Sequence, residues 1–264
     1  MRFLICILLL FSSVAYSKQD PSVLLYNVTN NENVISNNTD IQRPLASLTK
    51  LMTAMVVLDT LPLNLEEELQ LSTRTYGYLP NRQYKRSELL NAMLVRSDNK
   101  AAETLAENYP GGREFFITAM NNKARALGMS QTTFHDASGL SIFNVSSAND
   151  VHKMLLAASN YSLIKEISTK KQVMFEAKYK RKIRSVALHN TNQKMLFEFN
   201  NIVITKTGYT NPAGFCLGLV VEQNGKTYTV VILGSKTPFA RLALARELII
   251  GHIKYNSVLD TDLR

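Results

Sequence analysis

Ser47-Leu48-Thr49-Lys50 sets a hydroxyl and an amine three residues apart, at the head of the apolar run Leu51–Leu58. On a helix the two lie on one face, about 5–6 Å apart at Cβ. A helix N-terminus and partial desolvation both disfavour an ammonium there. A neutral lysine can accept the serine proton and so make the hydroxyl a nucleophile. The spacing alone says little. It recurs at Ser97–Lys100, Ser162–Lys165 and Ser168–Lys171, and an isolated match is ordinarily a helix cap followed by a solvated lysine. Two further triplets follow: Ser97-Asp98-Asn99, and Lys206-Thr207-Gly208, which occurs once. Ser-x-Asn also occurs at Ser36–Asn38 and Ser147–Asn149, so it too is weak by itself. The order of the three, on a helix, a helix–helix break and a strand, is far more specific than any one of them.

The elements that must position these residues are readable in outline. The run after Ser47 is apolar on nearly every face, which predicts a buried helix, with Pro44 suited to its first turn. Val23–Val28 and Val34–Ser36 read as a hairpin around Asn30-Asn31-Glu32-Asn33. Leu61–Arg82 reads as an irregular surface segment. Helices are expected over Glu88–Val95, Lys100–Asn108 and Arg113–Leu127, the last stopped by Gly128. Phe134–Asn144 reads as loop, and Ser147-Ala148-Asn149-Asp150 opens a helix to Ser159. Strands follow at Gln172–Ala177, Val186–His189, Asn201–Thr205, Gly214–Glu222 and Thr227–Gly234, with Asn224-Gly225 as a hairpin turn. Phe239–Ile253 closes the chain as an amphipathic helix. The pattern predicts an α+β fold: an antiparallel sheet flanked by helices, with a helical block at roughly 60–165 between the sheet-forming parts.

With 264 residues and 45% hydrophobic content, the chain can bury a large core. Met1–Ser17 reads as a secretory signal: Arg2 at the start, Leu4–Val14 apolar, and small residues at Ala15-Tyr16-Ser17. Residues 18–264 then form one domain beyond the membrane, with no other segment apolar and long enough to span it. Cys6 leaves with the signal, and Cys216 within Phe215–Val221 reads as a small buried hydrophobe. The formal charge of +9 reflects solubility or attraction to a polyanion, and its densest cluster is Lys178–Arg184. No nucleic-acid reading motif is present. His135, His152, His189 and His252 are scattered, so no metal site and no cofactor is expected.

Taken together, the motifs resemble the serine penicillin-binding proteins and β-lactamases. Within them the likeness is to the low-molecular-mass D-alanyl-D-alanine peptidases, most of all the endopeptidase branch of penicillin-binding protein 7 type. Arg43–Asp59, Asn108-Tyr109-Pro110-Gly111-Gly112, Gly139-Leu140-Ser141 with Asn144-Val145-Ser146, and Thr205–Gly208 with Ala213–Cys216 carry the likeness. The resemblance implies a β-lactamase/transpeptidase-like fold and a periplasmic enzyme acting on peptidoglycan stem peptides, with β-lactams as covalent inhibitors. It assigns Ser47 as nucleophile, Lys50 as general base and Ser97 as proton relay to the leaving amine. It assigns Asn99 to the substrate amide, Lys206 to fixed positive charge, and Thr207 and Gly208 to the substrate-binding strand. The backbone N–H groups of Ser47 and Tyr209 become the oxyanion hole. Strict alternation would send Lys206 and Thr207 to opposite faces. Asp98 departs from the glutamate that this branch tends to carry, and Ser-Asp-Asn is the spelling of class A β-lactamases. Such an enzyme needs a glutamate to activate water, and none lies between Glu114 and Glu166. Asp136 and Asp150, the carboxylates in that interval, read as turn and cap residues. A cross-link endopeptidase is therefore expected, against a carboxypeptidase, a β-lactamase and a silent wall-binding protein. After Gly208 the chain has length for a hairpin and a helix, so a membrane anchor is not expected; the oligomeric state is left open.

Overall fold

Strand β1 (Ser22–Asn27) is buried on both faces, and it runs beside the last strand of the chain, not only its hairpin partner β2 (Glu32–Asn37). The computed structural model describes residues 20–179 and 182–254. The expected signal segment Met1–Ser17 lies outside them, as do Lys180 and Arg181 of the basic cluster. After β2 come β3 (Arg43–Pro44), a 3-10 turn at Ala46–Leu48 and helix α1 (Thr49–Asp59). Next are β4 (Glu68–Gln70), β5 (Gln83–Lys85), α2 (Arg86–Val95), α3 (Asn99–Glu107) and α4 (Arg113–Ala126). Then follow β6 (Val145–Ser146), α5 (Ala148–Ser159), α6 (Ser162–Ser168), and the separate hairpin β7 (Gln172–Tyr179) with β8 (Lys182–His189). Helix α7 (Gln193–Glu198), β9 (Ile202–Thr210), β10 (Gly214–Gln223), β11 (Lys226–Ser235) and α8 (Pro238–Glu247) complete the order, with a π-helical turn at Leu248–Lys254.

The main sheet is antiparallel throughout, in the order β2-β1-β11-β10-β9. Its strands alternate between two cores. Leu24, Cys216, Val220, Val231 and Leu233 pack with the helices α1–α6. Val23, Leu25, Leu217, Leu219, Val221, Val230 and Ile232 pack with α7, α8 and the terminal π-turn. A sheet covered on both faces requires apolar residues at nearly every position, and the sequences of β1, β10 and β11 have them. Asn224 and Gly225 both take positive φ, the two-residue hairpin expected of that dipeptide. Helix α1 is buried from Thr49 to Val57 and forms the centre of the helical core.

The sequence reading differs from the structure at several ends. The helix after Ser47 begins at Thr49, and Pro44 is extended, because Pro44 pairs with Val145 and the Leu45 N–H donates to Asn144 O at 2.8 Å. The irregular segment 61–82 contains β4, and β5 pairs with it. Helices α6 and α7 were not expected from the sequence; each is a turn or two long with little periodicity to announce it. β9 continues from the expected Asn201–Thr205 through Lys206-Thr207-Gly208 to Thr210, so the triplet lies within the strand. Cys216 is fully buried and burial pushes its thiol up to about 11, which keeps it protonated and inert. Among the described residues no helix is long and apolar enough to cross a membrane.

Candidate active site

The Ser47 turn is placed by backbone contacts on two sides. Gly139, at φ +84°, packs so closely that a Cβ there would overlap Ala46 O. On the other side a Cβ on Gly208 would stand 3.0 Å from both Leu45 O and Ser47 N. The glycine of Lys-Thr-Gly is therefore needed first for β9 to reach the nucleophile turn, ahead of any access it gives a peptide. Ala46 itself is held at φ +46°, a strained value worth about 1–3 kcal/mol. That contact also brings the N–H of Ser47 to the strand bearing Tyr209, the two groups expected to form the oxyanion hole. The N–H of Ser47 donates to no acceptor among the described residues.

Lys50 leaves the first turn of α1 and is completely buried. Its Nζ lies 3.0 Å from Ser47 Oγ, 2.7 Å from Asn99 Oδ1 and 2.5 Å from Ser138 O. Burial lowers its pKa to about 7, although the charges of Asp136, Asp98 and Glu103 pull the other way. A neutral amine has two N–H groups and one lone pair. The two carbonyl oxygens, Asn99 Oδ1 and Ser138 O, accept only, so they take the N–H groups. The lone pair is left for the hydroxyl of Ser47. This is the geometry of a general base beside its nucleophile.

Ser97 sits at the break between α2 and α3 with φ +65°. Lys206 Nζ donates to Ser97 Oγ at 3.0 Å and to Thr207 O at 2.9 Å. Lys206 is buried, and desolvation, with the charges of Lys50 and Arg241, holds its pKa well below the ordinary lysine value. Burial thus works against the positive charge that the resemblance assigns to Lys206, and an anion brought to the cleft would favour it. Alternation along β9 holds. Lys206 pairs with Gly218, beneath Leu155 of α5, whereas Thr207 pairs with Leu217 of the other core. Both still reach one rim. The Thr207 hydroxyl donates to Thr191 Oγ1 at 2.6 Å, and the Thr191 N–H donates to Val95 O, two residues before Ser97.

Asp98 is buried and structural. One of its oxygens caps α3 by accepting from the Ala101 N–H, and the other accepts from the N–H groups of Tyr78 and Leu79. A Cβ on Gly77 would stand 2.5 Å from that carboxylate, so the fit is close. Asp136 accepts from the N–H groups of Ser138, Gly139 and Ser141, and Asp150 from Gln131 N–H and the Thr132 hydroxyl. Both carboxylates of the 114–166 interval are committed to loop geometry: Asp136 holds a turn as expected, whereas Asp150 holds the 131–132 loop and leaves the cap of α5 to Ser147. The structure therefore brings Ser47, Lys50, Ser97, Asn99, Lys206 and Gly208 together, with Thr207 at the same rim and the exposed Tyr209 just beyond. Sequence reasoning missed Ser138, whose backbone oxygen fixes Lys50, and Arg241 of α8, whose charge acts on Lys206. The one signal for the first was Gly139 beside it. No group of three or more His, Cys, Asp or Glu among the described residues is arranged to hold a metal.

Residues 15–237 match the family model of D-alanyl-D-alanine carboxypeptidases. The chain is 38% identical over 234 residues to the D-alanyl-D-alanine endopeptidase of Escherichia coli (strain K12), covering 86% of this chain and 75% of that one. Among solved structures, the Streptomyces K15 DD-transpeptidase is similar with a TM-score of 0.80 at 25% identity, covering 86% of this chain and 94% of that one. Penicillin-binding protein D2 of Listeria monocytogenes, in its cefotaxime-bound form, gives 0.76 at 30% identity over 86% of this chain and 94% of its own.

Proposed function

We infer the reaction from one premise: this chain belongs to the D-alanyl-D-alanine carboxypeptidase family, and is a serine-type hydrolase of D-alanyl-D-alanine bonds. We propose that its catalytic domain, residues 18–264, cleaves peptidoglycan cross-links beyond the membrane, after export directed by Met1–Ser17. The endopeptidase preference is supported by the 38% identical relative of that name.

The observation that carries the mechanism is the amine of Lys50, with both N–H groups spent on carbonyls and its lone pair toward Ser47 Oγ. Lys50 takes the Ser47 proton as Oγ attacks the carbonyl of the D-alanyl bond. The N–H groups of Ser47 and Tyr209 receive the developing oxyanion; one such donor is worth about 10²–10³ in rate. The proton taken by Lys50 is relayed through the hydroxyl of Ser97, held by Lys206, to the leaving amine, so that Lys50 is neutral again and an acyl-enzyme remains on Ser47. The amide nitrogen of Asn99, whose oxygen is engaged by Lys50, is left for the substrate's amide, and β9 pairs with the extended peptide. Water then releases the acyl group. With Asp136 and Asp150 tied into loops, no carboxylate in that interval is free to activate this water on a β-lactam, so penicillin remains attached.

Fluorescent penicillin should label the wild-type protein and leave Ser47→Ala unlabelled; equal labelling of both would overturn the assignment of the nucleophile. Purified cross-linked muropeptide dimers should be converted to monomers. Intact dimers with trimmed pentapeptides would replace the endopeptidase reading with a carboxypeptidase.

A further inference from the structure

The amine of Lys50 borders α3 through Asn99 and the loop after Phe134 through Ser138. The shape of that loop depends on one buried side chain, Asp136. Its Oδ1 accepts from the Ser138 N–H at 3.0 Å, the Gly139 N–H at 2.5 Å and Asn144 Nδ2 at 3.1 Å, and its Oδ2 accepts from the Ser141 N–H at 2.5 Å. These charge-assisted bonds close residues 136–141 into a turn.

The turn is docked on α1 on both sides of Lys50. Asn144 Nδ2 also donates at 3.1 Å to the hydroxyl of Thr49, the residue before Lys50. The hydroxyl of Thr53, one helical turn later, donates to Ala137 O at 2.7 Å. From this turn two backbone groups face the reacting residues. Ser138 O receives the amine of Lys50 at 2.5 Å. Gly139 packs against the Ala46–Ser47 peptide, which carries the Ser47 N–H: a Cβ on it would stand 1.9 Å from Ala46 O and 3.0 Å from Ser47 N. One carboxylate thus fixes both the acceptor that orients the amine and the backbone beside that N–H.

We propose that Asp136 is a positioning residue for acylation: through the turn it ties, it aims the amine of Lys50 at Ser47 and holds the Ser47 N–H in place. The proposal rests on the acyl-transfer reading given above. Asp136 touches no reacting atom and acts through Ser138, Gly139 and Lys50. Its charge adds a second effect. Burial depresses the Lys50 ammonium, and Asp136 opposes this more than Asp98 or Glu103 of α3 does. Glu103 is paired with Arg113 at 3.0 Å, and from β9 the charged group acting on this pair is a cation, Lys206. A base for a serine hydroxyl must be neutral at the working pH and still basic enough to take the proton. Burial supplies the first property, and the charge of Asp136 restores the second.

Rate constants of fluorescent-penicillin labelling from pH 5 to 9 test it, since a rate constant does not depend on how much of a preparation is folded. Asp136→Asn keeps the size, removes the charge and sets an amide nitrogen opposite the Ser141 N–H, donor against donor. Its plateau should fall about 10- to 100-fold, the scale of a misplaced catalytic group. Its rising limb, centred at about 7 in wild type, should move about one pH unit lower, because an opposite charge is lost. The rate at pH 6, as a share of each protein's own plateau, then goes from about one tenth in wild type to about one half. Thr53→Val removes the tie to Ala137 O and no charge, so its plateau should fall while its limb stays in place. A limb of Asp136→Asn that coincides with wild type or moves higher would overturn the proposal, as would a wild-type plateau in Asp136→Asn. Should Asp136→Asn fail to fold, Thr53→Val decides, and a wild-type plateau there overturns the positioning. Labelling of wild-type Ser47 would still stand in each case. Its absence would remove the acyl-transfer reading and the role of Asp136 with it.

Discussion

Replacing Asn99 by aspartate turns the amide whose oxygen lies 2.7 Å from the Lys50 amine into a carboxylate, and the consequence can be worked through. Burial holds the Lys50 pKa at about 7, so about half of the molecules carry a neutral amine at pH 7. Below that pH the lysine is protonated and has no lone pair for the Ser47 proton. Acylation should therefore rise about tenfold between pH 6 and pH 8 and then level. A carboxylate at position 99 favours the ammonium, and an opposite charge at this range raises a pKa by about 1–3 units. The neutral fraction at pH 7 then falls about 5- to 500-fold, and the rising limb moves to between about pH 8 and 10. The assay is the second-order rate of fluorescent-penicillin labelling, followed from pH 5.5 to 10 in both proteins. Asn99→Asp should be slow at neutral pH and recover in alkali. If Asn99 served only to hold a substrate amide, the loss would be the same at every pH. A variant limb that coincides with the wild-type limb would refute the account of Lys50 as a buried neutral base.

Gly139→Ala should unfold at markedly lower urea concentration than wild type, by several kcal/mol, because its Cβ would overlap the backbone of Ala46. Gly225→Ala, equally left-handed but with open space around it, should cost only about 1–2 kcal/mol, and similar losses at the two sites would contradict the packing described. Ser97→Ala removes the hydroxyl that Lys206 holds and should slow peptide cleavage by about 10²–10⁴, measured as release of D-alanine-containing product. Native protein should resist a thiol reagent at Cys216 from pH 7 to 9 and react only on unfolding; prompt native labelling would contradict its burial and raised pKa.

Much of this site is legible in the sequence because its parts are side chains of distinctive type in a fixed order. Ser47, Lys50, Ser97, Asn99 and Lys206 meet as that order predicts. The sheet is equally legible, since β10 and β11 are apolar strands joined by Asn224-Gly225. What escapes is work done by the backbone. Ser138 contributes a carbonyl, which any residue has. Ala46 contributes an unusual φ that its small side chain does not announce. Gly208 reads as part of a substrate-binding strand until the turn packed against it is seen. Asp98 reads as a departure in a motif, whereas its carboxylate gathers three N–H groups from two segments far apart in sequence. The early start expected for the buried helix fails for a related reason: Leu45 has a better backbone partner in Asn144 than a helical turn would give it.

β9 stands last in the strand order, so among the described residues one of its borders has no neighbouring strand. Soluble proteins usually guard such a border with charges, prolines or a bulge, since bare edges recruit other chains and seed aggregation. The proposed docking of a peptide along β9 requires this border to stay open, which leaves an adhesive margin beside the Ser47 turn. Occupancy by substrate or a covalent β-lactam would close it, making ligand a safeguard against self-association as well as a reactant.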